Sequence, residues 1–302
     1  MSDRFDKEIA GLIREDLQRP VPQEVRRLAD QAIARSGGRR SEGGDIVAIL
    51  YYGSCYRDGT VGDGMVDLYL LAGEQGITTK GRFGRLLNHL VPPDVHYVQC
   101  RDGERMLRAK YAILTLRQFA SRMQPECGNP YFWARFAQPT GIVEVHAGCR
   151  AELESSFVRA IRTLFGHARH LASPGATLDQ LWTGILRETY RTELRVEKPE
   201  RASQIYHANR NRFDRIAQIL ADAPIEPTIG GSWAWRRIEG KALSVLRLVK
   251  AAFTFAGGAD YLAWKIERHS GHALQLTDWQ RRHPILAAGP ILWRLWRQRI
   301  VN

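Results

Sequence analysis

Apolar side chains recur every three or four positions along residues 4–35, the spacing of amphipathic helices. The pattern breaks at Arg19-Pro20-Val21-Pro22. Proline lacks an amide donor, and the residue before it avoids the helical region, so a helix should end there. A stretch rich in Gly, Arg and Ser, residues 36–44, follows. We therefore predict two N-terminal helices within residues 1–40.

The next hundred residues contain short apolar runs separated by polar, Gly-containing or Pro-containing connections. Runs of this length, bounded by turn residues, are typical of strands. They cover residues 46–52, 65–71, 95–99, 111–116 and 141–146. We predict a mixed sheet with helices over residues 41–150.

Beyond residue 150 the apolar spacing becomes helical, and the joints carry Pro or Gly. The helical segments are residues 152–165, 178–194, 205–220 and 241–255. This change predicts an α+β protein with a domain boundary near residue 150 and a helical domain over residues 151–282.

The last twenty residues, 283–302, include the sequence ILWRLWRQRIV. On a helical wheel its Leu, Trp and Ile side chains share one side, Arg294 and Arg297 lie opposite, and only Arg299 enters the apolar arc. This is the pattern of a basic amphipathic helix in the lipid headgroup layer. The alternative is a final helix that packs on the protein with its arginines in solvent.

The chain has 302 residues, with 44 Lys and Arg against 32 Asp and Glu, a net charge of +12. From Gly230 onward there are 12 Lys and Arg and four acidic residues. An excess of this size favours a polyanionic partner, whether nucleic acid, anionic lipid or a phosphorylated substrate. A solvated basic face without any partner is the alternative.

Several classes of protein are disfavoured by missing motifs. The four cysteines form no CxxC pair, which argues against a disulfide framework and a structural zinc site and favours a reducing compartment. There is no HExxH or GxSxG motif, which argues against zinc chemistry and against a serine hydrolase. The start lacks a signal-peptide pattern, and no stretch reaches the roughly 18 apolar residues of a membrane-spanning helix. We expect a cytosolic protein, or one bound peripherally to a membrane.

The candidate chemistry lies where the first predicted strand ends. Gly53 and Ser54 follow that strand, and Asp67 lies within the next one. A glycine turn lets backbone amides approach a phosphate, the serine hydroxyl adds a donor, and a carboxylate on the neighbouring strand can hold Mg²⁺ against the same triphosphate. Enzymes that transfer nucleotidyl groups use such a combination of turn and metal to neutralise charge on the leaving pyrophosphate. The alternative is an ordinary tight turn and an aspartate at a strand edge.

Nucleotidyltransferases usually carry two carboxylates at positions i and i+2 of the second strand, where alternate side chains share a face. Here the first position is Met65, so one ligand is missing. Asp63, between two glycines, is expected in a turn. Glu144 on the last predicted strand could supply a carboxylate, although a plain edge position explains it equally well.

The order of several short motifs resembles a known family. YGS, MVDL, HYV at residues 96–98 and AKYAILTL at residues 109–116 resemble the YGSGVF, MIDF, HYS and KYGVI runs of the mitochondrial-type phosphatidate cytidylyltransferases, also called translocator assembly and maintenance proteins. The segments YFWARFAQP, YRTELR and LRLVKAAFTFAG are similar to that family's LYIAGRLHKP, YMGDFRM and IRQTIKGIFTAG. The resemblance runs over roughly residues 46–265 and suggests a divergent, bacterial-type member.

The resemblance implies Mg²⁺-dependent transfer of CMP from CTP to phosphatidic acid, by a nucleotidyltransferase-like domain joined to a winged-helix-like domain. It implies a peripheral protein on the cytoplasmic face of the inner membrane, with CTP, phosphatidic acid and an anionic membrane surface as partners and no nucleic acid. The implied site residues are Asp67 for the metal and catalysis, Gly53, Ser54 and Lys110 for the nucleotide, and Arg135 and Arg195 for phosphate.

Each of these assignments has a structural alternative. Lys110 would then be a solvated lysine at a strand start, and Arg135 and Arg195 would form structural ion pairs. His96 is expected to be a hydrogen-bonded structural residue and Tyr190 a core residue.

The chain departs from the family at two places: Cys55-Tyr56-Arg57 replaces Gly-Val-Phe, and Ala137-Gln138 replaces His-Lys. Two other functions therefore stay open at this point. One is a nucleotidyltransferase for RNA or a small-molecule acceptor. The other is a non-catalytic protein that binds lipid or RNA through a degenerate site.

Overall fold

A computed structural model describes residues 2–38, 46–61, 64–74, 91–193, 200–224, 232–254, 277 and 279–280. The strands are β1 Ile46–Tyr52, β2 Val66–Ala72, β3 Asp94–Asp102, β4 Arg105–Thr115 and β5 Gly141–Val145. The helices are α1 Ser2–Leu17, α2 Gln23–Ser36, α3 Ser54–Asp58, α4 Leu116–Ser121, α5 Trp133–Phe136, α6 Arg150–Leu171, α7 Leu178–Arg191, α8 Arg201–Ala208, α9 Arg210–Ile219 and α10 Trp233–Thr254; a 3₁₀ turn, Ala147–Cys149, precedes α6.

The five strands form one mixed sheet in the order β3-β4-β2-β1-β5. Only β2 and β4 run parallel; the other neighbours are antiparallel. The mixed sheet and the accompanying helices confirm the α+β prediction at this level. The short α3 connects β1 to β2 at the end of the sheet where Gly53 lies.

Both faces of the sheet are covered by helices. In β1, Ala48 and Leu50 join a large apolar cluster with α1 and α4 to α9, while Ile49 and Tyr51 join a smaller cluster with α2. This alternation is the period of two expected of a strand buried on both sides. The large cluster contains residues from before and after residue 150, and the division into separate domains stays a prediction.

Several helices and strands have bounds that differ from those predicted from the sequence. The N-terminal break is confirmed, with α1 ending at Leu17 and α2 starting at Gln23. Strands β3 and β4 are longer than predicted because they form a hairpin around Gly103, whose φ of 61° suits glycine. The predicted helix over residues 205–220 is two helices, α8 and α9, separated at Asn209. The helices α4 and α5, too short to show a periodic pattern, were missed.

Within the described residues, no helix combines the length and hydropathy needed to cross a bilayer. The predicted amphipathic helix, within the tail of residues 283–302, lies outside the described part of the chain. Its contact with a membrane or with the protein stays a prediction.

A buried histidine joins α6 to α10 and makes stability depend on pH. His167 is 3% exposed, stacks on Trp133 with ring centroids 5.1 Å apart, and contacts the edge of Trp233. Burial lowers the pKa of His167 to about 4, and the positive charges of Arg236 and His170 act in the same direction.

The pKa of His167 in the folded protein lies below the ordinary value of 6.5. As the pH falls from 7 towards 4, the unfolded chain therefore binds more protons at this histidine than the folded protein does. Between about pH 7 and pH 5 we expect the free energy of unfolding to fall by about 2 kcal/mol from this group alone. Urea unfolding at both pH values measures it. In the His167→Gln variant, most of this pH-dependent fall in the free energy of unfolding should disappear. In the control variant His170→Gln, at an exposed neighbouring position, the fall should remain. An equal pH dependence in both variants would contradict the assignment.

Candidate functional site

The turn after β1 needs glycine for two separate reasons. Gly53 has φ 90° and ψ −158°, a conformation that residues with a Cβ rarely adopt. A Cβ placed there would also lie 2.7 Å from Oδ2 of Asp67. The following residues, Ser54–Asp58, form α3, and the amide of Arg57 donates to the carbonyl of Gly53 at 3.1 Å. The missing side chain therefore leaves the space that the Asp67 carboxylate occupies.

Sheet register places a lysine beside this carboxylate. Asp67 on β2 pairs with Tyr52 of β1 on one side and with Lys110 of β4 on the other. The Lys110 ammonium lies 3.4 Å from Oδ1 of Asp67, and the two side chains are 31% and 24% exposed. Lys110 therefore lies within a strand and not just before one, which corrects the sequence prediction. The parallel pairing of β2 with β4 places Asp67 beside Lys110.

Arg135 on α5 lies in the same region, on the face of the sheet that carries Tyr69 and Asp67. Its Nη1 donates to the Tyr69 hydroxyl at 3.2 Å, and its guanidinium stacks on the Tyr131 ring with the carbon 4.2 Å from the centroid. Its Nη2 lies 3.7 Å from Oε1 of Glu193. Burial raises the pKa of Tyr131, but the guanidinium groups of Arg135 and Arg247 outweigh burial and lower the pKa to about 8. Arg135 is thus both structurally paired and present at the site.

These side chains line one cleft of about 140 Å³. Its described lining consists of Tyr52, Gly53, Ser54, Tyr56, Arg57, Asp67, Lys110, Arg135, Gln138, Pro139, Tyr190, Arg201, Ile205 and Asn209. Among them are four cationic side chains and one carboxylate. A cleft with this charge balance favours a polyanionic ligand such as a nucleoside triphosphate.

Five residues predicted from the sequence meet in this cleft: Gly53, Ser54, Asp67, Lys110 and Arg135. They come from β1, α3, β2, β4 and α5, which are far apart in the sequence. Their convergence is the arrangement that the nucleotide hypothesis requires.

Three other predicted residues have different outcomes. Arg195 and Asp63 lie outside the described residues. Tyr190 packs at the margin of the core and also lines the cleft, so its prediction as a core residue is incomplete.

Glu144 and His96 do not line the cleft. Glu144 pairs with Ile49, three residues before the end of β1, and is exposed. His96 is 8% exposed on β3, with its ring 5.3 Å from that of Tyr111. His96 is therefore buried in the sheet. Glu144 pairs with Ile49, whereas Asp67 pairs with Tyr52, so the two carboxylates are not neighbours.

Sequence reasoning missed the side of the cleft formed by α8 and α9. Arg201 and Asn209 lie there, and nothing in their local sequence links them to Gly53. Arg57 and Gln138 appeared only as departures from the family pattern, yet both line the cleft. Arg57 lies in α3, four residues after Gly53, and a basic residue this close to the glycine turn was the available signal.

The residues present fit one magnesium ion bound jointly with a triphosphate. Mg²⁺ is commonly held by one or two carboxylates together with substrate phosphates. Asp67 offers a partly exposed carboxylate inside the cleft, with Oδ2 in the space left by Gly53. In the described part of the chain, no group of three or more His, Cys, Asp or Glu side chains forms a complete metal site. The nucleotide would have to supply the remaining ligands.

Two glycines allow a test of the space beside Asp67. Gly53 and Gly59 both have positive φ, but only a Cβ at Gly53 meets a neighbour within 4 Å. We expect Gly53→Ala to lower the free energy of unfolding by about 1–3 kcal/mol, since the turn must move away from the carboxylate. On the nucleotide hypothesis, the same movement should abolish Mg·CTP binding. Calorimetry with CTP and Mg²⁺ measures the binding. Gly59→Ala should destabilise by about 1 kcal/mol and retain binding; loss of binding in both variants would contradict this account.

The comparisons with known proteins assign no family. No protein-family model matches the chain, and no curated protein matches it. The resemblance to the phosphatidate cytidylyltransferases therefore stays a hypothesis.

Proposed function

We propose that this protein transfers CMP from CTP to phosphatidic acid in a Mg²⁺-dependent reaction, giving CDP-diacylglycerol and pyrophosphate. The observation that supports it is the convergence of the Gly53 turn, Asp67 and Lys110 in one cationic cleft. The choice of cytosine and of a phosphatidate acceptor comes from the resemblance of the ordered motifs to the cytidylyltransferase family.

In this proposal the triphosphate lies along the turn. Glycine allows the chain to approach the phosphates closely, and the hydroxyl of Ser54, which lines the cleft, would add a donor. Lys110 and Arg57 lie in the same cleft and would offset the charge that develops on the leaving pyrophosphate. Lys110 also holds the Asp67 carboxylate through their 3.4 Å pair.

Bound Mg²⁺ would neutralise phosphate charge and help to align the α-phosphorus. Asp67 is the residue that would hold it. No further metal ligand from this chain is required if the phosphates supply the rest.

A phosphatidate acceptor suits the composition of the cleft. A phosphate monoester has a second pKa of about 6, so its oxygen is largely ionised near neutral pH and needs no general base. The described lining of the cleft includes no histidine. Arg201 and Arg135 line the cleft and would bind a second polyanion, and the remaining task is to align it for attack on phosphorus. A hydroxyl acceptor on RNA would instead require removal of a proton.

The reaction is tested with the purified full-length chain, α-labelled CTP, Mg²⁺ and phosphatidic acid in mixed micelles. We expect release of pyrophosphate and labelled CDP-diacylglycerol, with no product when EDTA replaces Mg²⁺. Labelling of tRNA and not of lipid would replace this proposal with an RNA nucleotidyltransferase. Calorimetry that detects no Mg²⁺-dependent CTP binding by the folded protein would favour a non-catalytic protein.

The proposed site of action is the membrane surface. Phosphatidic acid resides in bilayers, and the chain carries a net charge of +12, which favours contact with anionic lipid. We place the protein peripherally on the cytoplasmic face of the inner membrane as part of the same proposal.

A further inference from the structure

The helix α10 exposes a row of apolar side chains among its described residues. Trp235, Ile238, Val245 and Leu246 are 58%, 61%, 48% and 50% exposed. Together with the exposed Ala242 they fall on one side of the helical wheel, and we call this set the α10 apolar face. Contiguous exposed apolar side chains on one helix mark an interaction surface more often than single ones do.

Two buried cations hold α10 to the protein. Arg236 is 1% exposed and donates to the carbonyls of Cys127 and Gly128. Lys250 is 5% exposed, donates to the carbonyl of Val91, and forms an ion pair with Asp94 at 2.6 Å. Trp233 on the same helix packs against the large apolar cluster, so polar and apolar contacts together hold α10. The polar contacts fix the orientation, so the helix cannot simply rotate to bury its apolar side.

We propose that the α10 apolar face is a docking surface for an anionic lipid bilayer. A helix with a Trp-containing apolar side and basic residues beside it suits the boundary between headgroups and acyl chains. The side chains of Trp235, Ile238 and Leu246 would enter that boundary, while Lys241, exposed at the edge of the face, would meet lipid phosphates.

Charge favours a lipid surface over a second copy of this chain. From Gly230 onward the sequence has 12 Lys and Arg against four acids, and the whole chain has a net charge of +12. Two copies of a chain with this net charge would repel each other, whereas an anionic bilayer would attract each copy. Each Lys or Arg near such a surface contributes attraction of its own.

The α10 helix also contacts the surroundings of the cleft. The guanidinium carbon of Arg247 lies 4.1 Å from the centroid of the Tyr131 ring, and that of Arg135 lies 4.2 Å from the same centroid. Arg135 lines the cleft. Docking at the α10 apolar face would therefore bring a lipid acceptor close to the cleft. This consequence rests on the proposed function, whereas the docking itself does not.

The test is flotation of the full-length chain with vesicles of phosphatidylcholine alone or mixed with phosphatidylglycerol, an anionic lipid that is not the proposed acceptor. The triple variant Trp235→Gln/Ile238→Gln/Leu246→Gln removes the apolar face. The matched control is Leu171→Gln/Leu178→Gln, two leucines that are each 39% exposed on other helices. Melting temperature and light scattering report on folding and on size.

We expect the wild type and the control to float with anionic vesicles, and the triple variant to partition at least about tenfold more weakly with an unchanged melting temperature and size. Flotation of the triple variant equal to wild type would overturn the proposal. A large fall in its melting temperature, or a change from dimer to monomer, would also overturn it, because this chain or a second copy would then cover the face.

Failure of the docking proposal is distinguishable from failure of the proposed function. Vesicle flotation requires no CTP and no turnover. With a short-chain phosphatidic acid that stays monomeric in solution, the triple variant should transfer CMP at the wild-type rate. Absent turnover with normal flotation would reject the enzymatic proposal and keep the docking surface.

Discussion

Asp67→Asn is expected to lower CMP transfer by roughly 10²–10³-fold while the protein stays folded. The amide keeps the size of the carboxylate but loses the charge that would hold Mg²⁺ and pair with Lys110 at 3.4 Å. Because both partners of the pair are partly exposed, we expect loss of this charge to lower the free energy of unfolding by about 1 kcal/mol or less. Single-turnover rates with labelled CTP and phosphatidic acid, together with urea unfolding, measure the two properties.

The matched control for Asp67→Asn is Glu144→Gln. It makes the same change of charge on the same sheet, at an exposed position outside the cleft. Its rate should stay within about twofold of wild type, a difference under 0.5 kcal/mol. Wild-type rates in the Asp67 variant, or equal losses in both variants, would remove Asp67 from the proposed mechanism.

Lys250→Met is expected to cost about 3–5 kcal/mol of stability, the largest structural effect among the substitutions considered. Lys250 and Asp94 form an ion pair of 2.6 Å with both side chains 4% exposed. Lys250 also donates to the carbonyls of Val91 and Pro93, next to the start of β3. Removing the ammonium leaves a buried carboxylate without its cation, which is more costly than losing an exposed pair. Equilibrium unfolding in urea measures the change.

Lys241→Met provides the control on the same helix. Lys241 is exposed, so its loss should change the free energy of unfolding by less than about 0.5 kcal/mol. The double variant Asp94→Asn/Lys250→Met should recover part of the stability, since the uncompensated charge is then absent. A small effect of Lys250→Met, near that of Lys241→Met, would show that the pair does not anchor α10.

Local spacing in the sequence was enough for much of the fold. The prolines at positions 20 and 22 predicted the break between α1 and α2, and the apolar runs predicted all five strands of the described sheet. The Gly53 turn and Asp67 were also predicted, because a glycine at a strand end and a carboxylate on the next strand are near each other in the chain. These features depend on interactions within about twenty residues.

The sequence by itself therefore determined the α+β class, the Gly53 turn and the position of Asp67, since turn residues and hydrophobic periodicity act over short distances in the chain. Only the tertiary structure decided the rest. Parallel pairing of β2 with β4 brought Lys110 to Asp67, and packing of α8 and α9 brought Arg201 to the cleft. The outward apolar face of α10 likewise follows from where Arg236 and Lys250 find carbonyls and a carboxylate, and those partners are more than a hundred residues away in the chain.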